Sequence, residues 1–240
     1  MGVQQSLADE AYNLILERIL DGKLEPGAAL SVPALARSTS LGRSPVREAV
    51  QRLIYEGLAQ HVHNRGAVIT KLQPADLPDI FEAKEPLEGI AARRAAANAR
   101  EADLESLRGL VNQQNQALAA APTTAGVLMH LDVEFHQLIA ELSGSATLSA
   151  VLSQFTTRTH LVVPAAWNNP VYAQASIDEH EAIVQAIAAA DTSSAQEAAM
   201  RHTRNVCTRL TRWLAEDRSG PGGRGTRRAP GLHPTSQSHS

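Results

Sequence analysis

The chain has little of several features that mark large classes of protein. Its 240 residues include one cysteine, Cys207, which excludes a disulfide framework and a zinc site built from cysteine alone. Aromatic residues make up 3% of the chain, which disfavours a large β-sandwich or barrel. No run reaches the ~18–20 apolar residues of a membrane span, and the N-terminus lacks the basic start and apolar core of a signal peptide. We therefore expect a cytoplasmic protein with no membrane partner.

Charge is distributed unevenly along the chain. With 43% hydrophobic and 20% charged residues, the composition is that of a globular protein long enough for two domains. Residues 30–73 carry six Lys and Arg against two acids, a net charge of +4, whereas residues 74–217 carry 10 against 18, a net charge of −8. This asymmetry predicts that only the first segment meets a polyanion.

The hydrophobic pattern predicts a mainly α fold. Residues 1–73 show three helical segments and then two short strands around a turn, which is the pattern of a winged helix-turn-helix. Residues 74–217 show only helical periodicity and predict an all-α bundle of six helices. Residues 218–240 are rich in Gly, Ser and Pro, so we expect a disordered tail there.

A helix beginning near Ser44 has the features of a DNA-recognition helix. Ser44 is a favourable N-cap residue, and Pro45 suits the first helical position. Arg43 and Arg47 lie at this start and can reach base edges or phosphates together. Arg65 and Gly66, at the tip of the predicted hairpin, can enter the minor groove or contact the backbone. A solvated arginine face is the alternative for arginines considered alone.

Four ionisable side chains fall on the apolar stripes of three bundle helices. Asp132 and His136 lie four residues apart on the third bundle helix, His180 lies on the fifth and His202 on the last. A buried carboxylate is costly unless it is paired or bound to a metal. One Asp and three His offer oxygen and nitrogen donors that suit zinc, nickel or manganese. Structural core histidines are the alternative that the pattern leaves open.

Residues 41–58 (LGRSPVREAVQRLIYEGL) and 63–68 (HNRGAV) resemble the winged helix of the GntR family of bacterial transcription regulators. The resemblance implies that DNA is contacted by Arg43, Ser44, Arg47, Arg65 and Gly66. The chain departs from the family at Val32-Pro33, where members usually carry a charged pair.

The helical segment resembles the FCD effector domain of FadR-like GntR regulators. The matching pieces are residues 84–88 (KEPLE), 132–136 (DVEFH) and 178–183 (DEHEAI), with Asp191 and His202. In that family the Asp and three His hold a metal ion, and small carboxylic acids bind beside it. The resemblance implies an effector site with Lys84, which replaces the usual arginine, and Glu88. Arg158 could supply the missing guanidinium fork, with a solvated Arg158 as the alternative. Six helices rather than seven indicate the smaller, VanR-like branch.

Together these patterns predict a metabolite-responsive transcription regulator rather than an enzyme. A homodimer would place two winged helices on a pseudo-palindromic double-stranded DNA operator. A small organic acid or sugar acid bound at the metal would change their spacing through the joint at residues 71–75. Two alternatives remain: a metalloenzyme that uses metal-bound water at the Asp/His3 site, and a pure metal sensor without an organic effector.

Overall fold

A computed structural model describes residues 6–71, 73–120, 125–162, 167 and 169–219. Its elements in order are α1 (Leu7–Leu20), α2 (Val32–Thr39), α3 (Arg43–Tyr55), β1 (Ala59–Val62), β2 (Gly66–Ile69), a 3-10 turn (Pro74–Asp76), α4 (Leu77–Asn98), α5 (Glu101–Ala119), α6 (Ala125–Leu142), α7 (Ala146–Val162), α8 (Pro170–Ala188) and α9 (Thr192–Ser219). This order confirms the predicted mainly α architecture, a winged helix-turn-helix followed by a bundle of six helices.

The helix α9 continues past residue 218, where we predicted that the tail begins, and ends at Ser219. The rest of the predicted tail, residues 220–240, lies outside the described residues. Among the helices that are described, none is long and apolar enough to cross a bilayer.

The N-terminal domain (residues 6–71) packs its three helices around one apolar core. Ser6 begins α1 with a capping box, in which its hydroxyl accepts from the Asp9 backbone N–H at 3.1 Å. Ile15 of α1 and Leu53 of α3 are fully buried in this core. The antiparallel strands β1 and β2 form the wing, with Val62 opposite Gly66 at the turn.

The start of α3 differs from the sequence prediction. Gly42, not Ser44, occupies the N-cap position, and the Ser44 hydroxyl donates to a Glu48 carboxylate oxygen within the helix at 3.3 Å. The presence of Pro45 does not determine which residue begins the helix. The first several N–H groups of a helix have no intrahelical partner, so proline fits at more than one position of the first turn. Pro45 is therefore tolerated in the third helical position, and the first backbone bond is donated by Val46 to Gly42.

The bundle (α4–α9) is organised around the close packing of α4 on α9. Small residues line both helices at this contact, including Ala92 and Ala95 on α4 and Ala195 on α9, all fully buried. Gly89 also faces α9: a Cβ built there would lie 2.7 Å from Cγ of Met200. The close approach brings Glu88 of α4 and His202 of α9 into the same buried region.

Gly89→Ala and Gly109→Ala form a matched pair that tests this packing. Both glycines lie inside helices, where alanine is favoured by ~0.5–1 kcal/mol. A Cβ at Gly109 meets no atom within 4 Å, so Gly109→Ala should raise the melting temperature. Gly89→Ala should lower it, because Met200 must move. Equal stabilisation by both substitutions would contradict the close packing of α4 on α9.

Candidate metal centre and DNA-recognition surface

Asp132, His136, His180 and His202 come together in the bundle, and we call them the Asp–His cluster. Asp132 and His136 are one turn apart on α6, while α8 supplies His180 and α9 supplies His202. All four are buried, with exposed fractions of 5% or less. The ring centroids of His180 and His202 are 4.7 Å apart, and those of His136 and His202 are 5.2 Å apart. One ligand nitrogen from each histidine lies within 4.8 Å of the others.

Each histidine is oriented from behind by an oxygen acceptor on another helix. The contacts are His180 Nδ1 to Gln114 Oε1 at 2.9 Å, His202 Nδ1 to Glu179 Oε2 at 2.8 Å, and His136 Nδ1 to the Glu88 carboxylate at 3.3 Å. A ring nitrogen that is hydrogen-bonded to an oxygen acceptor carries the proton, which leaves the Nε2 lone pair for a metal. The tautomer required of a metal ligand is therefore set by the surrounding side chains.

The Nε2 atom of His180 is a buried polar atom without a hydrogen-bond partner among the described residues. Its nearest charged neighbour is Asp132 Oδ1 at 3.4 Å, and the same carboxylate lies 3.9 Å from His136 Nε2. An unsatisfied buried nitrogen costs ~1–3 kcal/mol. A divalent ion shared by this carboxylate and the imidazoles would remove that cost, so the residues present fit a metal site.

Burial also sets the charge state of the cluster. It lowers the pKa of His180 well below the ordinary value, with His202 adding to the effect, and it lowers the pKa of His202 as well. Both imidazoles are therefore neutral near pH 7, the state that binds metal. Burial raises the pKa of Glu88, but His136 and Lys84 outweigh it and bring that pKa to about 2.

Glu179 and Gln114 are functional residues that sequence reasoning missed. Arg209 donates from both Nη atoms to Glu179, each at 2.7 Å, and Asn205 donates at 2.8 Å. Glu179 is thus fixed against His202. Gln114 continues the buried stripe of Leu107 on α5, so a polar residue on an apolar stripe was an available signal. Glu179 gave no such signal, because other acids lie beside it on α8.

A cavity of about 60 Å³ opens beside the Asp–His cluster. Lys84, predicted for the effector site, lines it together with Asp132, His136 and His202. The Lys84 Nζ lies 3.2 Å from a carboxylate oxygen of Glu88, and both side chains are buried. Glu88 therefore connects Lys84 to His136 from behind the cavity wall.

Arg158, the third predicted effector residue, is not among the residues that line the cavity. Its neighbour Thr159 faces the cavity, and successive residues of an α-helix point about 100° apart. The guanidinium lies instead against the N-terminal domain: a Cβ built on Gly57 would be 3.6 Å from its Cζ. A second contact between domains joins His130 Nε2 of α6 to Asp21 Oδ1 at 3.4 Å.

The residues predicted to contact DNA are all exposed. Arg43, Ser44 and Arg47 lie in the first turns of α3, and Arg65 and Gly66 lie at the wing turn. Within the part of the chain that the structure describes, none of the three arginines forms an ion pair, so their charge is available to phosphates or bases.

Arg52 differs from the other arginines of α3. It contacts Glu56 at 2.9 Å and Asp9 of α1 at 3.2 Å, and its guanidinium lies 3.9 Å from the Tyr12 ring centroid. The charge of Arg52 is therefore balanced inside the N-terminal domain, where it holds α3 against α1.

Comparisons with known proteins agree with this arrangement. Residues 7–69 match the model of bacterial regulatory proteins of the gntR family, and residues 79–205 match the FCD domain. The chain is 25% identical over 205 residues to the HTH-type transcriptional regulator YdhC of Bacillus subtilis (strain 168), covering 85% of this chain and 91% of that protein. It is 26% identical over 220 residues to LutR of the same organism, covering 83% and 99%.

Two solved structures share the fold. The E. coli protein McbR/YncC superposes with a TM-score of 0.77 at 20% identity, covering 88% of this chain and 100% of that chain. A transcriptional regulator GntR from Rhodococcus sp. RHA1 superposes with a TM-score of 0.68 at 20% identity, covering 87% and 97%.

A winged helix joined to an all-helical bundle, with these family matches, defines a DNA-binding transcription regulator. This chain belongs to the GntR family of bacterial regulatory proteins and carries an FCD domain. The matching families and relatives are transcription regulators, which points away from the metalloenzyme alternative.

Metal content tests the Asp–His cluster. Protein purified without a chelator or metal-binding tag should hold about one divalent ion per chain, and chelation should lower its melting temperature. His180→Ala and His202→Ala should each lower occupancy, whereas His130→Ala, which changes a partly exposed histidine, should not. Glu179→Gln should weaken metal affinity by about 10–100-fold, because it loosens His202. Elemental analysis that finds no ion in the unaltered protein would refute the site.

Proposed function

We propose that the protein regulates transcription by coupling operator binding to a small carboxylic acid held at a divalent metal in the FCD domain. The observation that carries this proposal is the Asp–His cluster: buried donors, each histidine oriented from behind, beside a cavity that Lys84 also lines. The cluster would hold zinc, nickel or manganese through Asp132, His136, His180 and His202.

The cavity is suited to an anion that can coordinate a metal. A divalent ion held by the cluster would supply an electrophilic site for a carboxylate oxygen. Lys84 would donate a hydrogen bond to the carboxylate from the cavity wall, and Glu88 balances its charge and keeps its ammonium in place. A neutral sugar offers neither a charge for Lys84 nor a strong ligand for the metal.

DNA binding is assigned to the first turns of α3 and to the wing. We propose that a homodimer presents two such surfaces to a pseudo-palindromic operator, because the two-fold symmetry of a dimer is mirrored in the half-sites. Arg43, Ser44 and Arg47 then face the major groove, and Arg65 and Gly66 lie near the adjacent minor groove. Membership of the VanR-like branch stays part of this proposal.

Substitutions in α3 and the wing separate base reading from backbone contact. Arg47→Ala should cost ~1–3 kcal/mol of operator affinity and relax specificity at one position. Arg65→Ala should weaken binding more evenly across sequences. Arg108→Ala, an exposed change in the bundle, is the control. Mobility-shift titrations at fixed salt provide the measurement, and unchanged affinity for Arg47→Ala would contradict the recognition-helix assignment.

Two bundle helices contain both cavity residues and contacts between domains. On α6, His130 contacts Asp21 two residues before Asp132 of the cluster. On α7, the Arg158 guanidinium lies beside Gly57, and the next residue, Thr159, lines the cavity. We propose that a shift of α6 and α7 on acid binding reorients the N-terminal domain through these contacts, together with the joint at residues 71–75.

Arg158→Ala tests this coupling. Metal content and acid affinity should stay unchanged, while the change in operator affinity on adding acid becomes smaller. Arg100→Ala, at an exposed guanidinium on the bundle surface, should leave the response intact. Calorimetry with acid and mobility shifts with and without acid give the two readouts. A loss of acid affinity would identify Arg158 as an effector ligand instead, and operator release by metal alone, indifferent to acid, would indicate a pure metal sensor.

A further inference from the structure

We infer that the effector is a monocarboxylic acid with a short apolar tail, rather than a dicarboxylic or sugar acid. The inference rests on the proposed function, in which an acid binds at the metal. It follows from three properties of the cavity: the pairing of its charges, the state of its hydroxyl groups and the composition of the wall away from the Asp–His cluster.

The cations at the cavity are already paired with acids of the protein. Lys84 pairs with Glu88 at 3.2 Å, and Arg209 binds Glu179 through both Nη atoms at 2.7 Å. With a divalent ion in place and Asp132 ionised, one positive charge remains uncompensated. One carboxylate balances it. A second carboxylate would be buried without a counter-charge, which is strongly unfavourable.

Three of the four hydroxyl groups that line the cavity already take part in contacts within the protein. Thr159 donates to the Thr156 carbonyl oxygen at 2.9 Å, and Thr203 donates to the Ala199 carbonyl oxygen at 3.0 Å. The Ser176 hydroxyl accepts from Arg209 at 3.0 Å. The several hydroxyls of a sugar acid would therefore enter a site with few free partners, and each unsatisfied buried hydroxyl opposes binding.

The remaining wall is largely apolar. Phe81 of α4, Ala173 of α8 and Val206 and Leu210 of α9 line it, together with the ring-bearing Tyr172. An apolar tail gains free energy on leaving water for this wall, and each buried methylene raises affinity about fourfold. The volume of about 60 Å³ limits the tail to a few carbon atoms unless the walls move.

A matched series of four-carbon acids tests the inference. Calorimetry on the full-length, metal-loaded protein compares butyrate, succinate and 2,3,4-trihydroxybutyrate, which share a chain length and differ in charge and hydroxyl content. Butyrate should bind about tenfold or more tightly than either of the others. Metal-stripped protein should bind all three more weakly.

Leu210→Asn provides the specificity test within the cavity wall. This substitution should weaken the affinity for butyrate several-fold and reduce the difference in affinity between butyrate and trihydroxybutyrate. Metal content and melting temperature are measured alongside. Val171→Ala, which changes a 71% exposed valine on the neighbouring helix, should change neither affinity.

The outcomes distinguish this inference from the proposed function. Tighter binding of succinate or trihydroxybutyrate to metal-loaded protein would overturn the monocarboxylate inference alone. An equal response of all three acids to Leu210→Asn would also overturn it. No acid binding to metal-loaded protein, or affinity unaffected by removing the metal, would overturn the proposed function and this inference with it.

Discussion

The bundle depends on one constraint: a carboxylate and three imidazoles are buried where an apolar core would otherwise form. Such a cluster is stable only when every polar atom has a partner, and Gln114, Glu179 and Glu88 provide these partners on the outer side. A divalent ion bound as proposed would satisfy the inner atoms. These contacts link α5, α6, α8 and α9 at the cluster, and metal binding there would be thermodynamically coupled to folding.

The positions of α4 and α9 follow from the same constraint. Glu88 can reach His136 only if α4 lies close to the centre of the bundle, and the alanine-rich contact with α9 around Gly89 permits this. Lys84 is one turn before Glu88 on the same face of α4. The packing that positions Glu88 therefore also positions the Lys84 ammonium at the cavity. Small residues in α4 would thus contribute to the proposed ligand binding without touching the ligand.

The sequence predicted the cluster because its members lie on apolar stripes with helical periodicity. This pattern can be recognised without knowledge of the fold. It predicted all the helices of the bundle for the same reason. It misplaced the cap of α3, because serine and proline are compatible with several first-turn positions. The role of Arg158 could not be assigned from the sequence either. Thr159 faces the cavity, and a shift of one residue along α7 turns the Arg158 side chain toward the N-terminal domain instead. Glu179 is fixed by Arg209, 30 residues away, and such pairings are not visible in local patterns.

Arg52, near the C-terminal end of α3, contacts Glu56. It also contacts Asp9 and Tyr12, near the N-terminal end of α1, and so joins the two helices. These contacts lie on the side of α3 that faces α1, far along the helix from Arg43. The proposed recognition helix α3 is therefore held against α1 and would move as a rigid body with the N-terminal domain. In the proposed dimer, an effector signal that arrives at Gly57 or Asp21 would alter the separation and tilt of the two recognition helices, while the base preference of each helix would remain the same.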